Sequence, residues 1–418
     1  MINKFAGYRC SLCKNEYDPN EVVYTCPQDG GNLDILLDYD RLRRSLKIED
    51  LINSPEPSLW RYLPLLPVVE PGGNDTPLHA AGFTPVYSPK KLASKHGLVN
   101  LWVKDESRNP TASFKDRASA VVVARAREIG AEVIVTASTG NAGAALAGMA
   151  AAVDHKAVIF APRTAPPAKV AQLLIYDAQV ILVDGTYDDA FDLTVQASEE
   201  FGWYCRNTGY NPFTAEGKKT AAFEIWEWGL RNNDWNGTYN TLPAIFVSVG
   251  DGNIISGIHK GFKDLLELGW IDDTPRIFGV QSYGSAAVAN AFNAGEEIIN
   301  PVSADTLADS ISVDYPRDGV RAVRAARETG GKYILVSDDE ILSAVAELGK
   351  VGIFAEPAGA ASYAGMIKAH EQGLITSQTP LMVINTGSGL KDVQAAMLAV
   401  KEAPIIDPTI AGVRQVIK

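Results

Sequence analysis

One lysine near the start of a predicted helix offers the clearest chemistry in this sequence. Lys115 follows Phe114 in the segment Asn109-Pro110-Thr111-Ala112-Ser113-Phe114-Lys115-Asp116-Arg117. Burial beside the positive end of a helix favours the neutral amine, which is the form that makes Schiff bases. The alternative is a solvated lysine that pairs with Asp116, and composition alone favours that interpretation. The residues leave both readings open.

Three glycine-rich loops follow apolar runs: Ser138-Thr139-Gly140-Asn141-Ala142-Gly143, Gly250-Asp251-Gly252-Asn253 and Thr386-Gly387-Ser388-Gly389. Glycine lets the backbone approach a ligand closely, and the free N–H groups of a following helix attract an anion. One such loop often serves packing alone, but three at the carboxyl ends of strands predict a ligand site. Neither of the first two is a complete G-x-G-x-x-G motif, and no suitably placed acidic residue follows. The pattern therefore disfavours a nicotinamide cofactor.

The first 45 residues contain a candidate metal site. Cys10 and Cys13 form one short knuckle, and Cys26 and Asp29 form a second after an interval of twelve residues. This is the spacing of a zinc ribbon, in which four ligands enclose one ion. Structural zinc sites strongly favour Cys and His, so a knuckle that folds without metal is an equal alternative. The remaining cysteine, Cys205, is expected to be a buried and inert thiol.

These residues need elements to position them, and apolar runs alternate with amphipathic segments from residue 99 onward. The predicted strands are 99–104, 132–137, 157–161, 179–183, 243–249, 276–281, 332–336 and 381–385. The predicted helices are 116–129, 141–153, 167–176, 189–201, 216–230, 253–268, 339–350 and 358–372. Short strands separated by helices predict an α/β protein with mostly parallel strands, enough for two sheets. Residues 46–95 are rich in proline and predict an irregular lead-in.

Composition excludes several classes of function. The chain has 418 residues, of which 46% are hydrophobic and 21% charged, which is typical of a folded protein with two to three domains. Its 38 basic and 50 acidic residues give a net charge of −12, which disfavours nucleic acid or an anionic membrane as the main partner. No apolar run approaches the roughly 20 residues of a membrane span, and the start lacks a signal-peptide core. We expect a cytoplasmic protein.

Further motifs resemble pyridoxal-phosphate enzymes of the tryptophan-synthase β fold (fold type II), and most closely the threonine synthase family. They occur in the family's order and span nearly all of the chain beyond residue 75: Thr76-Pro77-Leu78, Lys104-Asp105-Glu106, the Lys115 segment, Ser138-Thr139-Gly140-Asn141, Glu216-Gly217-Lys218-Lys219-Thr220, Gly250-Asp251-Gly252-Asn253, Glu356-Pro357-Ala358 and Thr386-Gly387-Ser388-Gly389-Leu390-Lys391-Asp392. The cysteine-bearing N-terminus also resembles the ribbon found on many members. Together the motifs are highly specific for fold and cofactor.

The resemblance implies a role for each matching residue around the cofactor. Lys115 would hold pyridoxal phosphate as an internal aldimine and shuttle protons, and Asn141 would hydrogen-bond the ring hydroxyl. The loop Gly250-Asp251-Gly252-Asn253-Ile254 would bind the cofactor phosphate through backbone N–H groups, with the Asp251 carboxylate turned away. Thr386 would face the pyridine nitrogen, where a hydroxyl suits elimination and replacement chemistry better than transamination.

The substrate-binding residues follow from the same resemblance. Ser138 and Thr139 would bind the substrate carboxylate, with helix capping by Ser138 as the competing role. A phosphorylated substrate needs further cations and hydroxyls, for which the candidates in matching segments are Lys104, Asn207, Lys169, Lys218 and Lys219. Each lysine could equally be solvated. The chain departs from the family pattern at Thr214, where arginine is common, and in the Gly-Asp-Gly-Asn loop.

The resemblance also implies an architecture. The fold would be a two-domain α/β fold of type II with parallel-rich twisted sheets, preceded by a ribbon-like extension at 1–45. A large domain that binds pyridoxal phosphate would comprise 46–125 and 207–418, with a small domain at 126–206 inserted into it. The cofactor would lie between the two domains. The protein would act on a small amino acid and form a homodimer.

The implied activity is that of a carbon–oxygen lyase, which converts O-phospho-L-homoserine and water to L-threonine and phosphate by γ-elimination and β-addition of water. Two alternatives stay within the cofactor class. One is a β-eliminase similar to serine and threonine dehydratases, and the other is an O-phosphoserine β-replacement enzyme of the cysteine or cysteate synthase type. A non-catalytic regulatory protein is a remote alternative, because Lys115, Asn141 and the phosphate loop are all present.

Overall fold

The computed structural model describes residues 4–232 and 242–417. Its strands form three separate sheets. In chain order the strands are β1 (Phe5–Cys10), β2 (Glu16–Tyr17), β3 (Leu33–Leu37), β4 (Val86–Tyr87), β5 (Leu101–Asp105), β6 (Val133–Ala137), β7 (Lys156–Pro162), β8 (Gln179–Val183), β9 (Tyr204–Cys205), β10 (Ala244–Ser248), β11 (Ile277–Ser282), β12 (Tyr333–Val336) and β13 (Leu381–Asn385).

The helices connect these strands and cover the sheets. They are α1 (Tyr39–Ser45), α2 (Ile48–Ile52), α3 (Lys90–Lys95), α4 (Lys115–Glu128), α5 (Asn141–Ala151), α6 (Pro167–Ile175), α7 (Tyr187–Phe201), α8 (Phe213–Asn232), α9 (Asn253–Glu267), α10 (Ala287–Ala294), α11 (Gly319–Glu328), α12 (Asp338–Gly349), α13 (Pro357–Glu371), α14 (Val393–Leu398) and α15 (Ile410–Val416). Short 3₁₀ helices occur at Leu59–Leu65, Pro77–Ala80, Glu106–Arg108, Asp309–Ile311 and Gly389–Lys391.

The largest sheet has six strands in the order β12-β11-β10-β13-β5-β4. Every pair of neighbours is parallel except the edge strand β4, which runs antiparallel to β5. Both faces are covered, because alternate side chains of β10 enter different cores. Ile245 and Val247 join a core with residues of α8 and α9, whereas Phe246 joins one with residues of α13. The prediction of a mostly parallel sheet is confirmed.

A second sheet has four parallel strands in the order β8-β7-β6-β9. Its strands lie between residues 133 and 205 of the chain, within the range predicted for an inserted small domain. The helices α5, α6 and α7 alternate with these strands. The capping box of Thr186 and Asp189 fixes the start of α7, since each side chain accepts the other's backbone N–H. The exact domain boundaries stay a prediction.

The predicted elements beyond residue 99 are all found, with small differences at their ends. The strand predictions 179–183 and 381–385 coincide with β8 and β13. Sequence reasoning missed β4 and β9, because a two-residue strand carries no periodic signal. It also missed the helices α10, α11, α14 and α15. Among the described residues, no helix combines the length and apolar character that crossing a bilayer requires.

The N-terminal extension is a small antiparallel sheet packed on the body. β1 lies between β2 and β3. Its Phe5 ring contacts the Phe213 ring of α8 edge-on, with 5.8 Å between the centroids. The proline-rich lead-in that follows is irregular as predicted, but it contributes Leu59, Tyr62 and Leu65 to the same core as Phe5. Extension and lead-in are thus integrated with the larger sheet.

Candidate active site

Lys115 is the first residue of α4 and lines an inner cavity of about 40 Å³. Asp116 holds the preceding turn, because its carboxylate accepts the Thr111 backbone N–H at 2.6 Å and the Thr111 hydroxyl. The alternative of a solvated pair between Lys115 and Asp116 is therefore wrong. Desolvation lowers the pKa of the Lys115 amine, an effect that the nearby Asp251 carboxylate opposes. A half-buried amine with a lowered pKa is suited to nucleophilic and proton-transfer chemistry.

The loop Gly250-Asp251-Gly252-Asn253 forms another wall of the inner cavity. Gly252 has φ +90°, and a Cβ at this position would lie 2.7 Å from the Asp318 carbonyl oxygen, so only glycine fits. Asn253 begins α9, and no side chain caps this helix. The N–H groups of the first turn are therefore available to an anion in the cavity.

Asp251 is the unusual residue of this loop. Its carboxylate accepts the Arg317 backbone N–H at a distance of 3.4 Å, so it is anchored to the segment before α11. Removal from bulk water raises the pKa of the Asp251 carboxyl, while Lys115 opposes that rise.

Thr386 lies at the carboxyl end of β13, directly beside the lysine segment. Its carbonyl oxygen accepts the Phe114 N–H at 2.9 Å, and Ser388 donates its N–H to the Ala112 carbonyl at 3.1 Å. This backbone pairing holds the Thr386 loop and the start of α4 together on one side of the cavity. The Thr386 residue lines the inner cavity, as does Ser248 at the end of β10.

Asn141 reaches the cavity from the other sheet. It is the first residue of α5, and its amide donates to both carboxylate oxygens of Glu356 at 2.9 and 3.1 Å and to the Ser310 hydroxyl at 3.2 Å. Burial raises the pKa of the Glu356 carboxyl. Since α5 belongs to the small sheet and Glu356 precedes α13 on the larger one, the cavity lies between the two sheets. This is the location that open α/β folds use for ligands.

Comparison with known proteins identifies the family of this chain. A profile described as pyridoxal-phosphate dependent enzyme matches residues 78–387. The chain is 37% identical to the threonine synthase of Methanocaldococcus jannaschii over 98% of this chain and 99% of the relative. It is 36% identical to that of Methanosarcina acetivorans over 98% of both chains. The chain belongs to the threonine synthase family of pyridoxal-phosphate-dependent enzymes.

A solved structure agrees with the fold. Threonine deaminase isoform 2 from Solanum lycopersicum superposes with a TM-score of 0.64 at 24% identity, over 81% of this chain and 93% of the deaminase. The chain therefore has the α/β architecture of fold type II. Family membership makes it a lyase-type enzyme whose cofactor is pyridoxal phosphate, and it overturns the alternative of a non-catalytic regulatory protein.

The inner cavity fits this cofactor chemically. Lys115 supplies the amine that would hold its aldehyde, and the start of α9 supplies N–H groups for its phosphate. The buried Ser248 hydroxyl on the cavity wall has no hydrogen-bond partner among the described residues, so it is free to contact a ligand. Lys115, Asn141, Thr386 and the whole loop 250–254 line this one cavity.

An outer cavity of about 120 Å³ adjoins the inner one and shares Asn141 and Glu356 with it. Thr139 lines this space, as predicted for a residue near the substrate. The Ser138 N–H donates to the Phe160 carbonyl at 3.1 Å and is not available to a carboxylate, so a substrate-binding role of Ser138 would rest on its hydroxyl and stays a prediction. Its side chain does not cap α5 either, since that helix begins after Gly140 without a side-chain cap.

Three of the predicted substrate-binding residues make their contacts away from the two cavities. Lys104 is buried and donates to Glu224 at 2.6 Å, and Lys219 is buried against Asp264 at 2.7 Å. Asn207 accepts the Ala137 N–H at 2.8 Å and stabilises the end of β6. None of the three lines either cavity. The prediction assumed solvated or ligand-facing lysines, whereas Lys104 and Lys219 neutralise buried carboxylates.

The two remaining candidates do line the site. Lys169 of α6 faces the outer cavity and pairs with Asp309 at 2.6 Å, and Lys218 of α8 faces the inner cavity. Sequence reasoning gave no role to Lys391, which also lines the outer cavity and donates to Gln172 at 3.0 Å. Lys391 lies five residues after Thr386 in the same motif, and this position could have identified it as a residue of the site. Glu356 was likewise quoted only as part of a motif.

The predicted metal ligands converge in the extension. One ligand atom from each of Cys10, Cys13, Cys26 and Asp29 lies within 4.8 Å of the others, and the three cysteines are not oxidised to disulfides. The Cys13 and Cys26 sulfurs are 3.7 Å apart. Three thiolates and one carboxylate oxygen form a donor set that zinc accepts. Zinc binding stays a prediction. Cys205 is fully buried, which raises the pKa of its thiol to about 12.

Proposed function

We propose that this enzyme is a threonine synthase that converts O-phospho-L-homoserine and water to L-threonine and inorganic phosphate. The observation that carries the proposal is the similarity to threonine synthases over the full length of both chains, ribbon included. The cavity chemistry supports it, because the Lys115 amine, the uncapped start of α9 and Thr386 line one space. The substrate is a small phosphorylated amino acid.

The chain's own residues supply proton transfer and orientation. When bound, pyridoxal phosphate supplies an electron sink for charge that develops at the substrate Cα. Lys115, with its lowered pKa, accepts the α-proton in its neutral form, must give that proton up before it can accept a β-proton, and returns a proton to Cγ once phosphate has left. Thr139 and the N–H groups at the start of α5 bind the substrate carboxylate, because this helix begins at the outer cavity without a side-chain cap.

Departure of phosphate from Cγ needs cations near the outer cavity. Lys391 and Lys169 lie on its wall, and Lys391 has no carboxylate oxygen within 4 Å among the described residues. Its amine stays available to a phosphoryl group, while Lys169 is shared with Asp309. Water then adds at Cβ, and closure of the small domain over the cavity controls when water enters.

A second candidate is a β-replacement or β-elimination enzyme that acts on O-phosphoserine, serine or threonine. The observation that favours it is Thr214, which stands where the family commonly has arginine. The Thr214 side chain is buried and donates to the Asn211 carbonyl at 2.7 Å, so it brings no charge to the site. A shorter substrate needs fewer cations beyond the cofactor.

The two candidates are separated by product analysis. The purified enzyme loaded with pyridoxal phosphate is given O-phospho-L-homoserine, and phosphate and L-threonine are measured together. Equal amounts of both, absent in a Lys115→Ala variant, support the threonine synthase. A 2-oxo acid from serine or threonine, or cysteine or cysteate from O-phosphoserine with sulfide or sulfite, moves the assignment to the second candidate. Homodimer formation and cytoplasmic location stay predictions.

A further inference from the structure

Lys218 differs from the other buried lysines around it. Its side chain is fully buried in α8 and faces the inner cavity, yet no carboxylate oxygen lies within 4 Å of its amine among the described residues. Lys104 and Lys219, equally buried, each contact a carboxylate at 2.6 and 2.7 Å. A buried cation without a counter-ion is strongly unfavourable. The missing counter-ion points to an anionic ligand.

Asn253 sets the position of the Lys218 amine. The Lys218 Nζ donates to the Asn253 Oδ1 at 2.5 Å, and the Thr214 hydroxyl donates to the same oxygen at 3.2 Å. Asn253 is the first residue of α9, so the amine lies beside the N-terminus of that helix. Helix N-terminus and ammonium group therefore act on the same part of the cavity.

A row of side chains fixes the Asn253 amide from behind. The Asn253 Nδ2 donates to Asp318 at 2.7 Å, which turns its oxygen toward Lys218. Arg321 of α11 donates to both Asp318 carboxylate oxygens, at 2.6 and 2.8 Å. Its remaining nitrogen donates to Asp34 of the ribbon strand β3 at 2.8 Å. We name Asp34, Arg321, Asp318 and Asn253 the ribbon relay.

We propose that Lys218 is the counter-ion of the cofactor phosphate and that the ribbon relay positions it from the N-terminal extension. This reassigns Lys218, which the sequence suggested for the substrate phosphate. The inference rests on the cofactor that the family establishes and is independent of the proposed substrate. Lys218 contacts the phosphate, whereas Asp34, Arg321 and Asp318 are positioning residues.

The first experiment separates the cofactor phosphate from other anions. Dissociation constants of pyridoxal phosphate and of pyridoxal, which lacks the phosphate, are measured for the apoenzyme by cofactor absorbance. Lys218→Met should weaken pyridoxal phosphate by about 10- to 100-fold, since a charge-assisted contact is lost, and leave pyridoxal unchanged. Lys263→Met, at an exposed lysine on the neighbouring helix α9, is the control and should change neither constant.

Three results would overturn the assignment. Equal weakening of both compounds would mean that the variant damages the whole cavity. Unchanged cofactor binding with a raised KM for the phosphorylated substrate would return Lys218 to the substrate phosphate. A lower melting temperature of the Lys218→Met apoenzyme with unchanged cofactor affinity would make the lysine purely structural. We expect the apoenzyme to melt no lower than the wild type, because the substitution breaks no ion pair and puts an apolar side chain of similar length in a buried position.

The ribbon relay is tested by whether a substitution at Asp34 weakens or tightens the binding of pyridoxal phosphate. Loss of a negative charge near a phosphate site should tighten phosphate binding by simple Coulomb attraction. The relay requires the opposite, so Asp34→Asn should weaken pyridoxal phosphate several-fold, because Arg321 loses one of its carboxylate partners. Asp40→Asn, an exposed aspartate of α1, is the control. The effect of Asp34→Asn should also vanish in a Lys218→Met background, and tighter binding or strict additivity would refute the relay.

Discussion

Buried charge is arranged in opposite ways beneath strand β5 and on the wall of the inner cavity. Beneath β5, Lys104 and Arg117 meet Glu106 and Glu224, and each cation contacts a carboxylate. The Arg117 guanidinium donates to Glu106 at 2.7 and 2.8 Å and to Glu224 at 2.7 Å. Although burial opposes it, Arg117 and Lys104 hold the pKa of Glu224 at about 2. The two positive and two negative charges of this network cancel, and each cation has a carboxylate partner.

The lysines on the wall of the inner cavity are not paired with carboxylates in this way. Lys218 is fully buried and Lys115 is half-buried, and neither has a carboxylate oxygen within 4 Å in the described part of the chain. The difference indicates which buried charges maintain the scaffold and which await a ligand. Sequence motifs do not separate the two groups, since Lys104 and Lys115 both occur in motifs of the family.

The largest effect should follow from Lys115→Ala. The variant removes the group that transfers protons and holds the cofactor, so turnover should fall by about 10³-fold or more. The visible absorbance of lysine-bound cofactor should disappear with it. The unfolding free energy of the apoenzyme should not fall, because no ion pair is broken. Residual turnover within tenfold of the wild type would contradict the assignment, and Lys263→Ala serves as the surface control.

Arg117→Met should have the converse effect. Two buried carboxylates would lose their main partner, which destabilises a protein by about 3–5 kcal/mol. Urea unfolding of the apoenzyme measures this loss, with Lys115→Met as the matched substitution at a cavity position two residues away. Equal stability changes in the two variants would show that the distinction between paired and unpaired buried charge has no energetic basis here.

The contrast also explains how much the sequence could predict. Parallel strands and crossover helices have periodic signals, so β8 and β13 are located to the residue. Lys115, Asn141 and Thr386 follow from motifs at strand ends, where ligand sites form. The ion-pair partner of a buried lysine cannot be predicted in this way, because it is a residue far away along the chain. Glu224 lies 120 positions from Lys104, and nothing local in the sequence marks their contact.

A third kind of buried titratable group is one that stays neutral in the folded state. His259 of α9 is buried, which lowers the pKa of its imidazole to about 3. An unfolded chain binds this proton near pH 6.5, so between pH 6.5 and 3 the unfolded state holds more protons. Stability is therefore lost as the pH falls through this window, by about 1.4 kcal/mol per pH unit.

The His259→Gln variant should flatten this dependence. Its unfolding free energy in urea should decline less steeply than that of the wild type between pH 6.5 and 5. His370→Gln, at a partly exposed position near the end of α13, is the control. Parallel curves for wild type and His259→Gln would contradict this prediction and would indicate an imidazole that is protonated in the native state and paired with Glu328, 3.5 Å away.

The smallest effect concerns two lysines on the wall of the outer cavity. Lys391 has no carboxylate partner, whereas Lys169 is already paired with Asp309. If unpaired cations await the ligand, Lys391→Gln should raise KM for the phosphorylated substrate about tenfold, and Lys169→Gln should raise it less. Steady-state kinetics with O-phospho-L-homoserine measure both. A larger effect of Lys169→Gln would show that the ion pair between Lys169 and Asp309 opens when the substrate binds. The distinction between paired and unpaired lysines would then apply only to the inner cavity.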